Sequence, residues 1–207
     1  MQLLLNLVQR GGWVMFPLIL ASLVALALTL ERLWTIRRGK VAPRSFLASI
    51  SGLLGRRQYE QVDFLSRNDD SAAARLVALA LKMGGRPRNQ FKDALEEAGR
   101  REAQELTARL GVLNLVASIS PLLGLLGTVS GMINAFNSIA VDGVGNPGLL
   151  AGGISEALLT TAAGLCVAIP TLVVHRALLS RAENLTRELE DLSSDLLEAL
   201  AASGDRA

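Results

Sequence analysis

Aromatic residues make up only 4% of this 207-residue chain, which also has a single cysteine and a single histidine. One cysteine excludes an internal disulfide, and with it the small secreted scaffolds that several bridges hold together. One histidine removes most His-built metal sites. With no Ser/His/Asp grouping, nucleophilic and metal catalysis have no candidate constellation, so the chain reads as a non-enzyme without cofactor or metal. A surplus of one charge is lacking too: 21 Lys and Arg against 19 Asp and Glu give +2, too little to argue for an acidic partner. Basic residues alternate with acids and lack aromatic interleaving, which speaks against nucleic acid. What the chain has in abundance is apolar surface. Half of its residues are hydrophobic and the mean hydropathy is +0.37, the composition of a membrane protein.

The placement of the charges divides the chain. Residues 11–30 carry none, nor do the 32 residues of 110–141, and a third apolar stretch, 157–174, follows directly on Glu156. A helix crosses a ~30 Å hydrocarbon core in about 20 residues, so three spanning helices are expected. Between them, residues 31–109 hold 16 basic and 10 acidic side chains, and this block belongs in water. Arg32, Arg37, Arg38, Lys40 and Arg44 crowd the far side of the first span, while Arg10 alone precedes it. Basic flanks stay inside, which puts the N-terminus outside and the C-terminal tail, after Arg176 and Arg181, inside. A cleavable leader is the rival for the first span, and Ala25-Leu26-Ala27 resembles a cleavage site; the length of the apolar stretch and the stop-transfer basic residues after it favour a retained helix. The expected order is an outer segment and first span (1–34), an inner helical region (35–109), the second span (110–141), a short outer loop (142–153) rich in glycine with Pro147, the third span (154–176) and an inner helical tail (177–207).

Local signals fill in the inner part. Asp70 or Ser71 can cap a helix that Gly84-Gly85 ends. After Pro87 a helix starts near Asn89, and nothing but Pro121 interrupts it before about Ala140, which predicts one helix of roughly 50 residues. Leu185, Leu189, Leu192 and Leu196, with Ala182 and Ala199 in register, repeat at the spacing of an a/d seam. The whole is an all-α membrane protein whose second and third spans extend into a cytoplasmic helical bundle.

The densest local signal is Gly124-Leu-Leu-Gly127-Thr128-Val-Ser-Gly131. It is no phosphate loop, because no Lys follows the glycines and no strand precedes them. Small residues at these spacings let helix backbones approach where lipid offers no hydrophobic drive: Ser120, Gly124 and Thr128 form one row, Gly127 and Gly131 another. In the third span Glu156, Thr160, Gly164 and Ala168 form a further row. A charge at mid-membrane costs about 2.5 to 3.5 kcal/mol, so Glu156 should lie near an interface or carry a proton. Two readings stay open, a cap on the outer helix end or the head of a polar, ion-conducting face. His175, beside Arg176, reads as an interfacial polar residue and Cys166 as a small packing residue.

Residues 117–136 (ASISPLLGLLGTVSGMINAF) and 153–170 (GISEALLTTAAGLCVAIP), together with the three-span layout, resemble the ExbB/TolQ/MotA proton-channel subunits of energy-transducing inner-membrane motors. The resemblance implies a homo-oligomer, a pentamer, around an ExbD/TolR/MotB-type single-span partner whose aspartate carries the proton. It assigns Thr128 and Thr161 to the polar lining and Glu156 to the outer path; the face under Glu156 also makes Thr160 a possible liner. Gly124, Gly127, Gly131 and Gly164 are expected to serve helix packing. MotA-type subunits usually have four spans, so an ExbB-like role in outer-membrane import, through a TonB-type or Tol-type periplasmic effector, is expected. The alternatives are a TolQ-like role in envelope maintenance and a passive membrane scaffold.

Overall fold

A computed structural model of the chain describes residues 11–142 and 147–204; all of its regular structure is helical, with no strand among the described residues. The segment around Arg10, the loop residues 143–146 and the end of the tail lie outside the described residues. Helix α1 (Met15–Thr35) has 21 residues, about 31 Å of helix, enough for one crossing. Trp13 and Trp34 stand exposed near its two ends, as aromatic side chains do at membrane interfaces. Two further helical stretches are also long and apolar enough to cross a membrane.

The chain divides into two compact units, the first running to Glu31 and resuming at Arg109–Ala177, the second comprising Arg32–Ala108 and Leu178–Ala207. In the second unit, α2 (Arg38–Val41), α3 (Arg44–Gly55), α4 (Tyr59–Arg67), α5 (Ala72–Met83) and α6 (Arg88–Thr107) follow one another, with consecutive helices from α3 to α6 packed together. Ser71 is the N-cap of α5: its hydroxyl accepts from Ala74 N at 3.2 Å, while Asp69 Oδ1 accepts from Ser71 N at 2.8 Å. Gly84 ends that helix and Gly85 takes the left-handed φ of +82°. Arg75 on α5 holds the Glu102 carboxylate of α6 through two guanidinium nitrogens, with Nε at 2.7 Å. That hydrogen bond, against the opposing effect of burial, raises the Arg75 pKa.

Helix α7 (Leu110–Asp142) and helix α8 (Pro147–Gly204) complete the fold, and Pro121 and Pro170 lie inside them without ending them. The distal part of α8 buries Ala182, Leu185, Leu189, Leu192 and Leu196 of the expected seam, whereas Ala199 is half-buried and Leu200 takes the buried position.

Two expectations need correction. The single helix from Asn89 to Ala140 is instead α6 and α7, separated at Ala108 and Arg109. Ala108 is extended, with ψ at 145°, and Arg109 is left-handed at φ +62°. Side chains far apart in sequence meet at the break. The Arg109 guanidinium pairs with the Glu31 carboxylate, and Arg32 Nη1 donates to the Glu105 carbonyl in the last turn of α6 at 3.3 Å. The connection between α7 and α8 is also shorter than its glycines suggest, since α8 begins at Pro147, where the missing proline N–H costs a first helical turn nothing.

Candidate site between two membrane helices

Within the first unit, α7 and α8 lie against each other along their glycines. A β-carbon at Gly124 would meet Thr161 Cα at 3.0 Å and the Thr160 carbonyl at 3.1 Å. One at Gly131 would fall 2.8 Å from the Gly153 carbonyl, and one at Gly164 would fall 2.6 Å from the Ser120 carbonyl. At Gly127 the space is filled by the Thr160 side chain itself. These contacts run antiparallel, with Gly131 beside Gly153 and Gly124 beside Gly164. Gly124, Gly131 and Gly164 therefore stand at close contacts with the backbone of the other helix, and Gly127 at one with the Thr160 side chain, where a larger residue would force a shift. Gly153 belongs with them, because its missing side chain admits Ala135.

The polar residues separate into two kinds. Ser120 and Thr160 are fully buried, and each satisfies its hydroxyl on its own helix: Ser120 donates to the Val116 carbonyl at 2.7 Å, Thr160 to Glu156 and Ala157 carbonyls at 3.1 and 2.9 Å. Thr128 and Thr161 lie at the edges of the helix pair, each half-buried. Thr128 Oγ1 donates to the Leu125 carbonyl at 2.7 Å, and Thr161 Oγ1 donates across the interface to the Gly124 carbonyl at 3.2 Å. Both hydroxyls have spent their proton and retain an oxygen that can accept one. Glu156 is half-buried, and its carboxylate has no hydrogen-bond or ion-pair partner among the described residues. Over residues 119–133 of α7 and 157–174 of α8 the exposed residues are apolar, among them Leu122, Leu125 and Val129 on one and Leu158, Ile169 and Val173 on the other.

Two further residues depart from their reading. His175 is 7% exposed and sits in line with the buried face of α8, more enclosed than an interfacial residue needs to be. Cys166 is exposed, because it falls between the buried positions Gly164 and Ala168 and points away from the pair. Sequence reasoning missed the contribution of the segment before α1. Val14, Met15 and Leu18 form a buried cluster against Leu123 and Ala163, Trp13 Nε1 donates to Ser130 Oγ at 3.3 Å, and Gly12 abuts Glu156. The Gly11-Gly12 pair was the available signal.

Three membrane-length helices, a glycine-packed antiparallel pair and hydroxyl and carboxyl groups along an otherwise apolar surface define a helical membrane protein of the kind that handles ions. Residues 68–191 match the MotA/TolQ/ExbB proton channel family, and the chain belongs to it. This is a family of proton channels and not a known enzyme family. The chain is 35% identical over 185 residues to ExbB-like 1 of Synechocystis, covering 86% of this chain and 71% of that one. It is 33% identical over 201 residues to the biopolymer transport protein exbB1 of Vibrio cholerae, covering 92% and 85%. With the Tol-Pal system protein TolQ of Pseudomonas aeruginosa it shares 31% over 184 residues, covering 83% and 79%.

Proposed function

We propose that this chain is the proton-conducting subunit of an ExbB-type motor in the bacterial inner membrane. Five copies surround a single-span ExbD/TolR-type partner, with N-termini on the periplasmic side, and the proton gradient moves a TonB-type or Tol-type effector for outer-membrane import. The observation that carries this reading is the presence of Glu156, unpartnered among the described residues, and two half-buried threonines, Thr128 and Thr161, on one helix pair in an apolar surface. The threonine oxygens accept from water or from the protonated aspartate of the partner, and in a low-dielectric site those bonds are strong. Thr160 belongs to the packing, where its hydroxyl is already engaged. A gradient of 100 mV supplies about 2.3 kcal/mol per charge, so a few protons drive a mechanical step.

Partner-dependent proton uptake by proteoliposomes tests the assignment. Thr128→Val and Thr161→Val each keep the side-chain shape and should abolish or severely reduce uptake while oligomer size stays normal. Glu156→Gln should be milder than Glu156→Ala if the residue orients water. Unchanged uptake in both threonine variants would leave the scaffold reading. A TolQ-like role is the second reading, favoured by the similarity to TolQ over 79% of that protein; loss of the gene would then weaken the envelope without impairing import. A reporter fused at Asn68 should be cytoplasmic, and a periplasmic signal there would invert the topology.

A further inference from the structure

The carboxylate of Glu156 occupies the volume that a side chain at position 12 would need: a β-carbon built on Gly12 overlaps Glu156 Oε1 and lies 3.0 Å from Glu156 Cδ. Gly12 also has φ at +66°, a conformation that glycine adopts freely and other residues rarely. The turn it begins is held at three points. Met15 N donates to the Gly12 carbonyl at 3.2 Å, Trp13 Nε1 reaches Ser130 of α7, and Val14, Met15 and Leu18 are buried beside Leu123 and Ala163. One short segment thus touches both helices of the candidate site and reaches its carboxylate.

We propose that Gly12 is a positioning residue for Glu156, and that the 11–13 turn covers this carboxylate at the outer mouth of the ion path. The proposal rests on Glu156 belonging to that path. The absent side chain of Gly12 lets the carboxylate lie under the turn, where water and protons reach it only as the turn allows. Trp13 and Ser130 set how firmly the cover is held. An alanine at position 12 pushes the carboxylate aside, and a shorter acid at 156 relieves the overlap.

Two measurements on the full chain with its partner test this. In proton-uptake assays, Gly12→Ala should lower flux about tenfold, since small misplacements of a functional group cost that much or more. Glu156→Asp should be mildly impaired alone, and Gly12→Ala combined with Glu156→Asp should return to the level of Glu156→Asp. The φ strain of alanine is the same in the single and the double variant, so this rescue reads the overlap by itself. In a Cys166→Ser background, Glu156→Cys should react slowly with a membrane-impermeant maleimide, and adding Trp13→Ala should speed labelling severalfold, with size-exclusion profiles unchanged. Wild-type flux in Gly12→Ala, a double variant no better than Gly12→Ala, or equal labelling rates would each overturn the proposal. Wild-type flux in Glu156→Ala would instead overturn the ion-path reading, and the labelling rates would still judge the cover.

Discussion

Along α8 the buried positions keep one spacing and change their chemistry midway. In the first unit they are Ala157, Thr160, Gly164, Ala168, Thr171 and His175; in the second they are Leu178, Ala182, Leu185, Leu189, Leu192, Leu196 and Leu200. Both sets step by three and four residues, which is the period of one helix face. The solvents explain the difference. Lipid tails are as apolar as leucine, so burying leucine between membrane helices gains little, and association depends on close backbone contact through small residues. In water each buried leucine contributes about 1.5 to 3 kcal/mol. The same helix is therefore glued by what its residues lack in one unit and by what they bring in the other.

The sharpest way to break that comparison is Gly127→Leu. Its side chain would have to displace Thr160, which is itself wedged between two helices. Loss of a monodisperse, detergent-stable protein in size-exclusion chromatography is expected, and a normal profile would show that α7 and α8 do not need this contact. Next in size is Leu196→Ala, at a position with no exposed surface. It should cost about 2 to 5 kcal/mol, read as a lowered melting temperature with proton uptake retained below that temperature. Smaller again, and opposite in sign, is Gly99→Ala on α6. Nothing lies within 4 Å of a β-carbon there, so the alanine gains helix propensity of up to about 1 kcal/mol and the melting temperature should rise. A fall would mean that the open space at Gly99 is filled in the assembly.

How much of this was legible in sequence depended on whether a residue's partner lay on the same helix. The leucine seam was readable because Leu185 to Leu196 repeat in one continuous segment, and the Ser71 cap because its donor lies three residues on. The small residues of the second span were readable as packing surface, but their grouping was not. Sequence rows joined Ser120 and Gly124 to Thr128, whereas the structure buries Ser120, Gly124, Gly127 and Gly131 and leaves Thr128 at the edge. An antiparallel neighbour selects a 4-3-4 path across the two rows, and one sequence does not show the neighbour. The helix break at Arg109 stands beside an ion pair to Glu31, 78 residues away, and the nearby Gly111 lies inside the helix that follows. The Gly11-Gly12 pair signalled a turn, but what Gly12 accommodates could not be read, because that is Glu156.

The smallest expected effect falls on Thr160, whose neighbour Thr161 the resemblance assigns to the lining while the helix face under Glu156 points to Thr160. Thr160 is fully buried and its hydroxyl donates only to carbonyls of its own helix. Those carbonyls lie in the helical ladder, so removing the hydroxyl leaves no orphaned acceptor, and a valine methyl fills the same space beside Gly127. Thr160→Val should therefore change stability by no more than about 0.5 kcal/mol, the near-neutral limit for replacing a satisfied hydrogen bond by an apolar group of the same shape. Proton uptake should remain close to wild type. Thr161→Val removes a bond that crosses to the Gly124 carbonyl and an oxygen at the edge of the pair, so uptake should fall while the melting temperature moves little more than for Thr160→Val. Measuring both quantities on both variants separates a residue that packs from one that meets the ion. Loss of uptake in Thr160→Val with an intact oligomer would put the path on the buried face and reverse the assignment.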